Sequence, residues 1–114
     1  MENKEILDYI IKNDGATIKV PGFVGEIVTY SEGYQVGLQA GSKSVSKDQL
    51  KETLEDFVAE YFEFGVWLNP NTGKYDFDVC VWVKDLQNAL ELAKREKQQA
   101  IWDWKNMDGI IVKY

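Results

Sequence analysis

Hydrophobic residues recur along the chain with two different periods, and the switches between those periods set out its elements. Ile6, Leu7, Ile10 and Ile11 fall at helical spacing within Glu2 to Asn13, and Asp14-Gly15 follows as a C-terminal stop. From Ala16 the texture becomes that of strands: Thr17, Ile18 and Val20, then Phe23 to Tyr30, then Tyr34 to Leu38. The breaks fall at Pro21-Gly22 and Ser31-Glu32-Gly33. Two or three antiparallel strands are expected there. Ser46 is placed to cap a second helix, with Gln49 reaching back to it. Leu50, Leu54, Phe57, Val58 and Tyr61 then line one stripe of a helix running to about Glu60.

The second half of the chain reads as two hairpins around a third helix. Phe62 to Asn69 and Tyr75 to Val83 flank Pro70-Asn71-Thr72-Gly73, which is turn chemistry. In the simplest register Leu68 faces Tyr75 and Val66 faces Phe77. That register gathers Phe62, Phe64, Val66, Leu68, Tyr75, Phe77, Val79 and Val81 on a core face. The opposite face then shows Tyr61, Glu63, Trp67, Asp76, Asp78, Cys80 and Trp82. Asp85 caps a helix whose buried stripe is Leu86, Ala89, Leu90 and Ala93, with Lys94, Arg95 and Lys97 in its last turns. Ala100 to Trp104 and Ile110 to Val112 flank Asn106-Met107-Asp108-Gly109, a closing hairpin. The expected class is α+β, with residues 1–114 as a single domain and an antiparallel β-sheet carrying about three helices on one face.

Composition narrows the chemistry. With 114 residues, 45% hydrophobic and 13% aromatic, the chain suffices for one core. No apolar run approaches the roughly 20 residues that span a bilayer, and Met1 to Asp14 carries acids rather than a secretory pattern. A cytoplasmic protein with no membrane partner is expected. Cys80 is the single cysteine, so no internal disulfide and no cysteine metal cage can form, and no basic neighbour in sequence activates it. Histidine is absent, which removes the usual general base and the commonest transition-metal ligand. Neither GxGxxG nor GxxxxGK[ST] occurs, so common nucleotide enzymes are disfavoured. No cofactor, resident metal or catalytic residue is expected.

A set of segments in order carries a resemblance. Tyr34-Gln35-Val36-Gly37-Leu38, Val66-Trp67-Leu68-Asn69-Pro70-Asn71-Thr72-Gly73-Lys74, Asp78-Val79, Asp85 to Leu90 and Gln99-Ala100-Ile101-Trp102-Asp103 resemble a family of small uncharacterised proteins. These occur in phages, mobile elements and bacterial genomes. The likeness covers roughly residues 34 to 112 and lies in the order of elements, whereas each motif alone is weak. The chain departs from the pattern at Val66, where a glycine is usual before the tryptophan, and in the aromatic, acidic strand that holds Phe77 and Asp78. The resemblance implies a mobile-element setting and an accessory or counter-defence role, and it transfers no mechanism.

Charge and aromatic residues supply the candidate sites. From Asp48 to Glu63 the acids Asp48, Glu52, Glu55, Asp56, Glu60 and Glu63 meet Lys51 alone, and the formal net charge of the chain is −6. Such a surface repels nucleic acid and could compete for a basic groove by resembling a phosphate track, although the same residues also suit a solvated helix face. Packing explains any single one of the four tryptophans better than recognition does, and Trp67, beside the hairpin turn, is the best surface candidate among them. The partner-binding set is therefore Glu52, Glu55, Asp56, Glu60, Glu63, Trp67, Asp76 and Asp78. An alternative is a carboxylate- or divalent-metal-dependent hydrolase centred on Asp76, Asp78 and Glu63. A third is an assembly protein that self-associates through exposed strands. Lys94, Arg95 and Lys97 read as helix-end charge, so direct nucleic-acid binding is not expected.

Overall fold

A computed structural model describes residues 1–39 and 41–114. The order is α1 (Asn3–Asn13), β1 (Gly15–Lys19), β2 (Glu26–Val28), β3 (Tyr34–Gly37), β4 (Lys43–Val45), a 3-10 turn (Lys47–Gln49) leading into α2 (Leu50–Glu60), β5 (Glu63–Leu68), β6 (Tyr75–Val83), α3 (Leu86–Arg95), β7 (Ala100–Asp103) and β8 (Asp108–Ile111). Among the described residues, three helices and eight antiparallel strands make the class α+β, as the sequence pattern predicts. The chain forms two compact units, one of residues 1–28 and 42–78, the other of residues 29–41 and 79–114.

In the first unit the strand order is β2-β1-β5-β6, and β4 pairs with the start of β6. Ile18 stands opposite Phe64 and Ala16 opposite Val66, so one face of this ladder is apolar. Helix α1 brings Ile6 and Ile10 into the core and α2 brings Leu50, Leu54, Phe57 and Val58. The Phe57 ring lies 4.8 Å from Phe77 and 5.3 Å from Phe64, which ties α2 to β5 and β6 through one aromatic cluster. The Ser46–Gln49 capping box forms as expected and leads into α2. Thr53 is buried on α2 because its hydroxyl donates to the Gln49 carbonyl at 2.8 Å. Asn69 N donates to Lys74 O at 2.8 Å, the closure that pairing of Leu68 with Tyr75 requires.

Several expectations need correction here. The run Phe23 to Tyr30 is not one strand: β2 covers only Glu26–Val28, and Phe23 and Val24 belong to an exposed turn. Lys43–Val45 forms β4, which no alternation in the sequence announces. Phe62 leaves the core and is 60% exposed, because β5 begins only at Glu63 and Tyr61 turns onto Phe57 instead, with ring centroids 4.9 Å apart. Leu68 is half-buried, and on α1 Ile11 is exposed.

In the second unit the order is β6-β3-β7-β8. Val36, Ala89, Ala93, Ile101 and Val112 form the buried core between α3 and these strands, with Tyr34, Val81, Leu90 and Leu92 packed around it. The Asp85 carboxylate caps α3 as expected, accepting from Asn88 N at 3.0 Å. Leu86 is exposed, because the buried stripe begins one turn later at Ala89. The small alanines let the helix backbone approach the sheet.

The other face of these strands carries an aromatic layer. Gln35 lies between Trp82 and Trp102 in the ladder. Its side chain is buried, accepts from Trp104 Nε1 at 2.9 Å and donates to Cys80 Sγ at 3.2 Å. Tyr30 stacks on Trp82 at 5.2 Å and meets Trp104 edge-on at 5.5 Å. Trp82 also donates to the Glu32 carbonyl at 2.8 Å. The closing turn runs over residues 104–107, two positions earlier than Asn106-Gly109, because Trp104 is drawn inward to Gln35.

Gly33 makes the layer possible. Its φ is +85°, and a Cβ there would lie 2.4 Å from Nε1, Cε2 and Cζ2 of the Trp82 indole. Gly33→Ala is expected to destabilise the protein by about 2 to 4 kcal/mol, measured by urea unfolding, with loss of near-ultraviolet tryptophan dichroism. Helix α3 ends in the opposite situation. Gln98 N donates to Ala93 O and Lys97 N to Lys94 O, a Schellman ending in which Lys97, not glycine, occupies φ +56°. Lys97→Gly is expected to raise stability by about 1 kcal/mol in the same assay.

Candidate functional site

The outward face of α2 is built by the same periodicity that buries its other side. With Leu50, Thr53, Leu54, Phe57 and Val58 inward, Glu52, Glu55, Asp56 and Glu60 are all exposed. Their spacing of three and four residues makes them neighbours on the helix surface, where like charges repel. Asp48 extends the row from the preceding turn. The row is thus a local concentration of negative charge, of which only Glu52, in the first turn, is placed to favour the helix dipole.

The remaining predicted residues divide between the opposite sheet face and the interior. Phe64, Val66, Tyr75 and Phe77 are buried, so alternation places Trp67, Asp76 and Asp78 on the outer face of β5 and β6. Trp67 is 47% exposed there. Asp76 accepts from the Ser44 hydroxyl at 2.5 Å and from Asn69 Nδ2 at 3.1 Å, and Asp78 accepts from the Ser42 hydroxyl at 2.8 Å. β4 accounts for this arrangement, since its register sets Ser44 opposite Asp76. These carboxylates therefore hold a strand in place.

Glu63 departs from its expected solvent-facing position. It is only 5% exposed, and the ladder sets Lys19 opposite it. The adjoining bond from Val20 N to Phe62 O, 2.7 Å long, draws the end of β1 tightly over the start of β5. Glu63 is thus not part of an accessible acidic surface with α2. Among the described residues no group of three or more histidine, cysteine, aspartate or glutamate side chains is gathered so as to hold a metal ion.

Of the other aromatic candidates, Trp82 and Trp104 serve the layer around Gln35, and Trp102 meets Trp104 edge-on at 6.4 Å while remaining partly exposed. Cys80 is buried against Gln35. Sequence reasoning missed Phe23, which is 98% exposed; the signal was its bracketing by Gly22 and Gly25. No helix of the described residues is long and apolar enough to cross a membrane.

Asp103 is the clearest electrostatic feature. The Asn106 side chain donates to it at 2.7 Å, and the backbone N–H groups of Lys105 and Asn106 donate at 3.1 and 3.3 Å. The Asn106 side-chain bond first, then the two backbone bonds and the Lys105 charge, hold its carboxyl below the usual carboxylate range, and burial opposes them. A folded-state value below the unfolded value means that the unfolded chain binds the extra proton. Stability from this group is therefore complete above the ordinary value of about 3.9 and lost as pH falls through the lower folded value. Urea unfolding between about pH 5 and pH 2 should show a steeper loss in the wild type than in Asp103→Asn, and parallel curves would refute this assignment.

No protein-family model, no curated protein and no solved structure matches the chain.

Proposed function

We propose that this chain is a non-catalytic, cytoplasmic accessory protein of phage or mobile-element type, which binds a protein partner through the outward carboxylates of α2. The observation that carries this reading is that Glu52, Glu55, Asp56 and Glu60 are all solvent-exposed on one helix face and contribute nothing to its packing. Like charges at three- and four-residue spacing cost the helix a few tenths of a kcal/mol per pair. A basic surface on a partner relieves that repulsion. The groove of a host defence or nucleic-acid-processing enzyme has this character, because it is built to receive a phosphate backbone.

The other members of the sequence-derived set contribute differently to this reading. Trp67 is open to a partner on the sheet face, whereas Asp76 and Asp78 are engaged by Ser44, Asn69 and Ser42. Glu63 is buried and takes no part. The leading surface is therefore α2 alone.

The test is capture from a bacterial lysate by tagged wild type beside a variant with Glu52, Glu55, Asp56 and Glu60 each changed to Lys. Each reversal adds two charge units, so the four bring the net charge from −6 to +2. A stoichiometric partner should be captured by the wild type, released by rising salt and absent from the variant, whose far-ultraviolet dichroism stays unchanged. Undiminished capture by the folded variant would overturn the proposal.

A further inference from the structure

The turn between β1 and β2 exposes apolar side chains on a fixed mount. Val20, at its start, is buried and donates to Phe62 O at 2.7 Å. Gly25, at its end, is pressed against the core: a Cβ there would meet Ile6 Cδ1 at 2.8 Å and approach the Ile18 and Val58 side chains to 3.4 and 3.5 Å. Between these anchors Val24 N donates to Gly22 O at 2.9 Å, a three-residue turn with Phe23 at its apex. Phe23 is 98% exposed and Val24 53%.

The apex is not an isolated surface phenylalanine. Phe23 and Val24 line one depression of about 480 Å³ together with Met1, Glu2, Asn3 and Glu5. Met1 is itself 47% exposed, so three apolar side chains form a contiguous patch. The same depression is lined by Glu2 and Glu5 and by no lysine or arginine side chain. Glu2 and Glu5 complete the α1 capping box, which orders both side chains.

We infer that the Phe23 turn is a docking finger for a partner protein that offers an apolar pocket rimmed by lysine or arginine. Charge complementarity selects this occupant. The carboxylates beside the finger would be repelled by an anionic lipid surface. A second copy of this chain would bring the same carboxylates and a formal charge of −6 to the contact. A basic rim instead pairs with Glu2 and Glu5 while the phenylalanine ring is desolvated at the centre, the arrangement of an interface hot spot. A mount fixed at Val20 and Gly25 holds the ring ready, so little ordering accompanies binding. This inference does not rest on the α2 surface and can fail or succeed separately from it.

The probe is a phage-displayed library of random 16-residue peptides, selected against the full chain. The enriched peptides should combine aromatic or aliphatic residues with lysine or arginine. As synthetic peptides they should bind Phe23→Ser at least tenfold more weakly, and Glu2→Gln/Glu5→Gln several-fold more weakly. The quadruple α2 reversal should leave them bound. Because Phe23 makes no core contact, Phe23→Ser should unfold at the wild-type temperature. Three results would overturn the inference: selected peptides indifferent to Phe23→Ser, a wild-type dimer in sedimentation velocity that Phe23→Ser dissociates, or binding to phosphatidylcholine vesicles that Phe23→Ser abolishes.

Discussion

The alternation of side chains along β6 is the constraint on which the rest of the structure depends. Tyr75, Phe77 and Val79 are buried on one side, so Asp76 and Asp78 must point to the other. In the first unit that parity delivers Phe77 to Phe57 of α2 and leaves two carboxylates to be satisfied, which the Ser44 and Ser42 hydroxyls do. In the second unit it delivers Val81 and Val83 to the α3 core and sends Cys80 and Trp82 to the opposite face. A slip of one residue would exchange all of these at once. The register is accordingly secured on both faces, by aromatic packing on one and by hydrogen bonds on the other.

Gln35 shows how the second face tolerates a buried polar group. A buried amide left without partners costs on the order of 1 to 3 kcal/mol, more than a satisfied one contributes. Trp104 Nε1 and Cys80 Sγ occupy its two ends. That requirement propagates outward. It draws Trp104 inward, so β7 ends at Asp103, and the freed backbone N–H groups of the turn find the Asp103 carboxylate. The shifted turn, the lowered pKa of Asp103 and the aromatic layer thus share one cause.

What the sequence revealed and what it hid divide by the range of the forces involved. The Ser46–Gln49 box and the Asp85 cap are legible because a cap is satisfied within four residues. The parity of β6 is legible because alternation is local. β4 is not, since Lys43-Ser44-Val45 is too short to show a period and is ordered by Asp76 and its neighbours, some thirty residues away. The burial of Glu63, which stands opposite Lys19 in the ladder, is a tertiary outcome beyond any window of sequence. At the candidate site the α2 carboxylates were readable from helical periodicity. Phe23 was not, because an apolar run from Phe23 to Tyr30 reads as strand unless the two flanking glycines are given more weight than the hydrophobicity.

Charge and apolar contact contribute differently to recognition, and the first unit separates them in space. Exposed carboxylates on α2 act over about 8 Å at physiological salt, which speeds encounter with a basic partner but adds little once water remains between the groups. The outward face of α2 presents Lys51, Glu52, Glu55, Asp56, Ala59 and Glu60, with no large apolar side chain to desolvate. Lasting affinity draws on water-excluding contact at a few anchors. A surface of this composition acts mainly through charge, and an apolar anchor elsewhere on the chain adds to its hold on a partner. The folded chain supplies such side chains at its turns, Phe23 between β1 and β2 and Phe62 just ahead of β5.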